Sequence, residues 1–338
     1  MVSGFFGFFR RLASASAPPL SPSPRPARPA RPARPARPAR LAPLALQPVR
    51  VTVMVDDEAD EPTLGGGASV RNVRCEPAAE GEQPAAGRAL FAVRAAGKTD
   101  TGKRRSANED ALLVLRKHTV YAVADGMGGH CGGAVASQLA VDAIATAFID
   151  GIASPCILTN VPPLAAELVQ SLAAANESIR RAAARDLRLS DMGTTVVAAR
   201  FCPERGRLYV GHVGDSRCYR LREGALELLT RDHTMAELGV TGRSAVHLSR
   251  AVGPKGVVEA DVAVLEPRAG DVYLLCTDGL TKMLTDEEIR DVLLAEGDAE
   301  DAASMLVARA NDEGGRDNVT ALVVQIEQPP QGEDVLVA

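Results

Sequence analysis

Short apolar runs broken by Gly or charged turns fill much of this chain, and the spacing lengthens to a helical period in only four places. Phe91–Ala95, Ala111–Leu115 and Thr119–Ala124 read as strands, the last two joined by a turn at Arg116–His118. Gly133–Ile149 is helical, with Val135, Leu139, Ala143 and Phe148 near one face. A second helix runs from Pro163 to Asp186, carrying Leu164, Leu168, Leu172, Ala175, Ile179 and Ala183 at helical spacing. The period then falls back to two: Thr194–Phe201, Arg207–Val213, Cys218–Leu221, Leu226–Thr230, Val262–Leu265 and Asp271–Cys276 are short strands. A third helix, Asp286–Glu296, opens on a capping box of Thr285 with Glu288, a fourth covers Ala299–Ala310, and Val319–Ile326 closes as a strand. Neighbouring short strands with helices in pairs predict an α+β fold: a layered β-sandwich with helices packed outside, not alternating βαβ units.

The pattern is absent before residue 89. Arg25–Arg40 is a Pro-Ala-Arg repeat, and Pro at every third place excludes helix and leaves an extended, solvated chain. Ahead of it, Phe5, Phe6, Phe8 and Phe9 stand with Arg10 and Arg11 and no acids. That composition suits an organelle transit peptide, a weak membrane-surface segment, a disordered tail, or an upstream region translated ahead of a true start at Met54, and it favours the last two. Residues 51–88, rich in Gly, Ala, Pro and Glu, read as a linker. The expected organisation is a disordered N-terminus and linker over 1–88, one folded domain over 89–328, and a flexible tail over 329–338.

Composition narrows the class. An apolar share of 46% is ample for a core, and only 3% aromatics with no Trp means Ala, Val and Leu build it. No run of about eighteen uncharged apolar residues occurs, so no transmembrane helix is expected. The six cysteines form no CxxC pair, which suits buried reduced thiols in the cytoplasm better than zinc or disulfides. Residues 1–50 carry nine Arg and no Asp, Glu or Lys; with a whole-chain charge of −5, the remainder is at −14. Such an acidic body argues against nucleic-acid binding.

Within that acidic body, four clusters stand out: Asn108-Glu109-Asp110, Asp125-Gly126-Met127-Gly128-Gly129, Thr277-Asp278-Gly279 and Gly314-Gly315-Arg316-Asp317-Asn318. In each, a carboxylate sits beside Gly or Asn and abuts a predicted strand. Carboxylates gathered at strand ends form sites for hard divalent cations such as Mg²⁺ and Mn²⁺. Taken singly, three of the four also fit a plain alternative, as does Asp215 in Gly214-Asp215-Ser216-Arg217. Asp125 fits a solvated Gly-rich turn, Asp317 an Asx turn, Glu109 and Asp110 a solvated strand edge, and Asp215 a hairpin turn. Together, and with Arg105 four residues before Glu109, they point to metal-assisted phosphate chemistry.

The segment from Thr99 to Ala111 resembles the opening motif of the type-2C metal-dependent protein phosphatases, in the bacterial-type branch. The resemblance continues in order through Val123–His130, Met192-Gly-Thr-Thr195, Val213–Arg217, Leu275–Leu280 and Gly314–Thr320, spanning about 89–328. It implies a four-layer αββα fold: a central antiparallel β-sandwich flanked by helices on both sides. It also implies a protein serine/threonine phosphatase using two Mg²⁺ or Mn²⁺ ions and possessing room for a third, weaker ion. Carried over by motif, Asp125 bridges both ions and Gly126 gives its carbonyl to one. Asp278 and Asp317 hold the other, and Glu109 reaches it directly or through water. Asp215 joins the third ion, while Asp110 and Asn318 orient ligands from behind. Arg105, picked out by the spacing Gly102-x-x-Arg105-x-x-Asn108, binds the substrate phosphate. The implied partners are phosphorylated proteins, with a Ser/Thr kinase opposing the enzyme; the implied state is a cytoplasmic monomer. A phosphoprotein-binding pseudophosphatase, or a scaffold acting through its Arg-rich N-terminus, is the alternative.

Two departures from the family pattern matter. Met127 stands where some members place a general-acid His two residues after the bridging Asp; His130 is close in sequence but reads as a helix-start residue. The other histidines, 118, 212, 233 and 247, read as structural or surface groups. The stretch Thr234–His247, a longer helical flap in relatives, is short here, which predicts a more open cleft.

Overall fold

The computed structural model describes residues 50–54, 69–71, 73–75, 88–129, 132–151 and 161–329, all within the unit spanning 46–338. Its strands are β1 (Arg50–Met54), β2 (Ser69–Arg71), β3 (Val73–Cys75), β4 (Ala92–Asp100), β5 (Asp110–Leu115), β6 (Val120–Met127) and β7 (Gly193–Thr194). They continue with β8 (Val196–Cys202), β9 (Arg207–Val213), β10 (Arg217–Arg222), β11 (Ala225–Leu228), β12 (Val257–Leu265), β13 (Val272–Cys276) and β14 (Val319–Glu327). The helices are α1 (Gly132–Ile149), α2 (Pro163–Arg185), α3 (Asp278–Thr281), α4 (Asp286–Ala295) and α5 (Ala299–Asp312).

Two sheets result. The larger runs β2-β1-β12-β9-β8-β6-β5, with β7 added to β6 and β3 to β12; the smaller runs β11-β10-β13-β14-β4. All pairings are antiparallel except β3 with β12. The period of two assigns each strand to two cores at once. In β6, Tyr121 and Val123 join Val197, Leu208, Tyr273, Leu275, Leu322 and Val324 in a core between the sheets. Their neighbours Ala122 and Ala124 face the other way, onto Ala136, Ala140 and Ile144 of α1 and Leu168 and Leu172 of α2. In β14, Ala321 and Val323 face Ile289 of α4 and Leu306 of α5. The order is therefore helices, sheet, sheet, helices, as the resemblance implied. Small residues on the helix-facing side of β6 let α1 lie close. Between the sheets Phe201 is the hub of a ring cluster, edge-on to Phe91, Tyr121 and Tyr273 at centroid distances of 6.4, 5.8 and 5.5 Å.

Three differences from the pattern reading are informative. Strands β1 and β3 pair with successive stretches of β12, so part of the segment read as linker contributes to a sheet edge. The expected strand Thr194–Phe201 is interrupted at Thr195, whose side chain is needed at the site. The strands β4 and β12 run longer than expected, because the far end of β4 pairs with β14 and the start of β12 pairs with β1. The Pro-Ala-Arg tract, His130 and the tail after 329 lie outside the described residues. Among the described residues, α1 alone is long and apolar enough to cross a membrane, and Ala136, Ala140 and Ile144 bury it in the core.

Candidate metal centre

Every predicted carboxylate of the centre lies at one end of the sandwich. Asp110 begins β5 and Asp125 nearly ends β6; the antiparallel register sets them directly opposite each other. Asp278 follows β13, Asp317 precedes β14, and Asp215 sits in the turn between β9 and β10. The smaller sheet thus brings Asp278 and Asp317 to the pair supplied by the larger one.

Close backbone approach makes this possible. A Cβ on Gly126 would lie 2.0 Å from the Gly133 carbonyl oxygen, and one on Gly279 would lie 1.8 Å from that of Asn318. Asn318 ties three segments together. Its Nδ2 donates to the carbonyls of Thr101 and Ala107, both at 2.9 Å, and its Oδ1 accepts from the Glu109 amide at 2.9 Å. The Asp125 backbone is gripped by the Met192–Thr195 motif: Thr194 Oγ1 donates to its carbonyl at 2.8 Å, and its amide donates to Thr195 Oγ1 at 3.2 Å. Ser137 of α1 donates to the Glu109 carbonyl at 2.6 Å.

The electrostatics describe an enclosure of like charge. Burial, then the repulsion of Asp110, Asp278, Asp215 and Asp317, lifts the Asp125 carboxyl well above its usual range. Burial lifts Asp110 to about 7, although Thr320 Oγ1 and Thr277 Oγ1 donate to its Oδ2 at 2.7 and 2.9 Å. Burial and then Asp278 lift Asp215 to about 6. Two oxygens, Asp110 Oδ1 and Asp278 Oδ1, are buried without a hydrogen-bond partner. Unpartnered buried carboxylate oxygens are costly unless a cation, or water held by one, completes them. Hard oxygen donors of this number and charge fit two divalent ions.

Two side chains act as counter-charges. Arg105 places one guanidinium nitrogen 2.7 Å from Asp317 Oδ1 and another 3.8 Å from Glu109 Oε2, and it is about half exposed. Lys282, one turn after Asp278, sits 2.5 Å from Asp278 Oδ2 and 3.4 Å from Asp317 Oδ2. The sequence reading passed over Lys282, although its spacing of four from Asp278 was visible. It also gave no role to Ser137, which nothing local announces. Burial pushes the thiols of Cys218 and Cys276 up, so neither is a nucleophile. Met127 is half-buried at the end of β6. The flap residues 234–247 form two short 3₁₀ turns, closed at the neck by Thr234 pairing with Leu248 and by Met235 N donating to His247 O at 2.8 Å.

Comparison with known proteins matches this arrangement to a described family. Residues 100–322 match the family model for protein phosphatase 2C. A serine/threonine phosphatase, stp, of Listeria welshimeri is 34% identical over 251 residues, which cover 70% of this chain and 97% of that protein. The serine/threonine protein phosphatase PstP of Mycobacterium tuberculosis is 35% identical over 256 residues, 73% of this chain and 47% of that longer protein. Among solved structures, the catalytic domain of PstP in complex with two manganese ions superposes with a TM-score of 0.61 at 35% identity, covering 70% of this chain and all of that one.

Proposed function

Because this chain belongs to the protein phosphatase 2C family, we propose that it is a metal-dependent hydrolase of phosphoserine and phosphothreonine in proteins. The observation that carries this reading is the convergence of Asp110, Asp125, Asp215, Asp278 and Asp317 on one enclosure that holds two unpartnered carboxylate oxygens. Manganese, found twice in the PstP structure, or magnesium is the expected occupant. Asp125 and the Gly126 carbonyl, with Asp278, Asp317 and Glu109, would hold two ions, and Asp215 with Asp278 a third. Bound there, the ions would activate water and neutralise phosphate charge.

The chain's own residues do the rest. Arg105 stands at the rim of the enclosure, and its fork offers two parallel donors to a phosphate. With Asp317 committed to a cation, that guanidinium would be free to turn from Asp317 to substrate. Thr194 and Thr195 fix the Asp125 backbone, and Asn318 fixes the Glu109 backbone, so their oxygens meet the reacting centre without reorganisation. Asp110, behind Asp125, is held by Thr277 and Thr320 and orients the inner oxygens. Met127 stands where some members of the family place a general-acid histidine, and on this reading the leaving alkoxide takes its proton from water.

All the carried-over positions keep their carboxylates, which favours an active enzyme over a pseudophosphatase. The partners on this reading are phosphoproteins and an opposing Ser/Thr kinase, met by a cytoplasmic monomer. The test is Mn²⁺- and Mg²⁺-dependent phosphate release from a phosphothreonine peptide by wild type, Asp125→Ala and Asp278→Ala. Turnover lost in both variants supports the reading; no turnover by folded wild type with either metal overturns it. Deleting residues 1–53 separates the scaffold alternative, which needs that segment for function.

A further inference from the structure

We propose that His233 is a positioning residue for the outer carboxylate of this centre, holding the Asp215 turn to both ends of the flap while Asp261 and Arg250 hold His233. The inference rests on the metal-dependent reading above and concerns how the same site is kept in shape.

The hydrogen bonds fix the chemistry. A backbone amide can only donate, so the Gly214 N–H, 3.1 Å away, makes Nδ1 of His233 an acceptor. The ring hydrogen of the neutral imidazole is then on Nε2, facing Asp261 Oδ2 at 3.3 Å. The other oxygen of Asp261 accepts from Arg250 at 2.8 Å. The backbone of His233 adds two more ties: its amide donates to Gly214 O at 2.9 Å, and its carbonyl accepts from Ser249 N at 2.9 Å. His233 enters the flap and Ser249 leaves it, so one residue pins both strands of the neck and the β9–β10 turn. His212 stacks on the ring at 4.5 Å and donates from Nε2 to the Arg231 carbonyl at 2.8 Å.

The turn is held from its other side too. Gly214 has φ of +105°, and a Cβ there would meet the Thr195 side chain at 2.6 Å. Ser216 Oγ lies 2.7 Å from Thr195 Oγ1. Asp215 is therefore suspended between a residue tied to His233 and a residue tied to the motif that grips Asp125. Its carboxyl feels Asp278 most strongly among its charged neighbours.

A metal site is the competing reading, since ligand atoms of His212, His233 and Asp261 lie within 4.8 Å of one another. Each of those residues already has a partner: Arg231 for His212, Gly214 and Asp261 for His233, Arg250 for Asp261. A guanidinium nitrogen of Arg250 lies 3.1 Å from His233 Nε2, so a second cation would meet a fixed positive charge. The cluster is a support.

Two amide variants separate the two jobs of the ring in the full-length protein. His233→Asn keeps an oxygen near Nδ1 for the Gly214 amide; His233→Gln keeps a donor near Nε2 for Asp261 and loses that acceptor. The readouts are Mn²⁺ binding, followed by the electron paramagnetic resonance of free Mn²⁺, and the Mn²⁺ midpoint of p-nitrophenyl phosphate turnover. The expected result is that the weakest Mn²⁺ class binds tenfold or more weakly in His233→Gln and within threefold of wild type in His233→Asn, with the KM for p-nitrophenyl phosphate unchanged. Two folded variants that bind Mn²⁺ alike, or a midpoint that stays fixed while activity falls with the folded fraction, overturn the proposal. Should either variant not fold, Asp261→Asn, which removes the charge that orients the ring, carries the same expected weakening. The binding arm needs no turnover: a wild type without phosphatase activity whose variants still differ in Mn²⁺ binding sinks the phosphatase reading and supports the positioning role.

Discussion

Replacing Asp110 by Asn should stabilise the metal-free protein while harming the loaded enzyme. The carboxyl is enclosed, and burial, opposed by two threonine hydroxyls and reinforced by Asp278 and Asp317, lifts it from 3.8 to about 7. That displacement corresponds to about 4 kcal/mol at full ionisation. Asp125 lies opposite and titrates with it, so the share belonging to Asp110 is about 2–4 kcal/mol. The sign follows from linkage. The folded carboxyl binds its proton more tightly than the unfolded one, so metal-free wild type loses stability as pH rises from about 4 to about 7. Asp110→Asn has no such proton to lose. At about 2–4 °C per kcal/mol for a domain of this size, it should melt about 5–10 °C above wild type at pH 8 in chelator, and about a third of that margin should remain at pH 5. Saturating Mn²⁺ should reverse the order, because binding adds about 2.7 kcal/mol per site at a hundredfold excess over Kd. Differential scanning fluorimetry at both pH values, with chelator and with Mn²⁺, reads all of this. An Asp110→Asn protein that melts at or below wild type in chelator, by the same margin at pH 5 and pH 8, would refute the account of a carboxylate strained by burial and, secondarily, by its like-charged neighbours.

Three further outcomes are expected. Arg105→Lys keeps the charge and loses the fork, so the KM for a phosphothreonine peptide should rise about tenfold with a smaller change in kcat, by steady-state kinetics. Gly279→Ala should cost about 3 kcal/mol or more in urea unfolding, since its Cβ meets a backbone oxygen at 1.8 Å, while Gly297→Ala, with open space around it, should be neutral. His212 is held at about 4 against a usual 6.5, by burial and then by His233 beside it. Stability from that group is therefore full above pH 6.5 and falls by about 3 kcal/mol toward pH 4; the acid limb of urea midpoints should flatten in His212→Gln.

Much of the centre was legible because its carboxylates travel with their own local marks, a strand before and a Gly or Asn beside. The layers were legible because a period of two in β6 and β14 and a helical period in α1 and α2 each state which face is buried. What the sequence left unread depends on pairing across the fold. Nothing near Ser137 announces a bond to Glu109, twenty-eight residues away. His212 and Asp261 become neighbours only through the β9–β12 register, and His233 joins them only because the flap neck folds back. The strand β1 is a short alternating stretch, Arg-Val-Thr-Val-Met, set among Pro-, Ala- and Gly-rich neighbours that hid it. The break at Thr195 reads locally as continuous strand, since Thr is a good strand former.

The two sheets meet very differently at their two ends. At one, Phe201, Phe91, Tyr121 and Tyr273 interlock edge to face. At the other, carboxylates from both sheets confront each other. Tyr121 and Tyr273 lie near the starts of β6 and β13, whereas Asp125 and Asp278 lie at their far ends. The sandwich is therefore built like a clothes-peg, with an aromatic pivot and jaws of like charge. Without divalent ions the jaws should open first and the pivot last. Amide hydrogens of Gly126, Asp278 and Asn318 should then exchange with solvent far sooner than those of Tyr121 and Phe201, and the ions would act as the spring that shuts the peg.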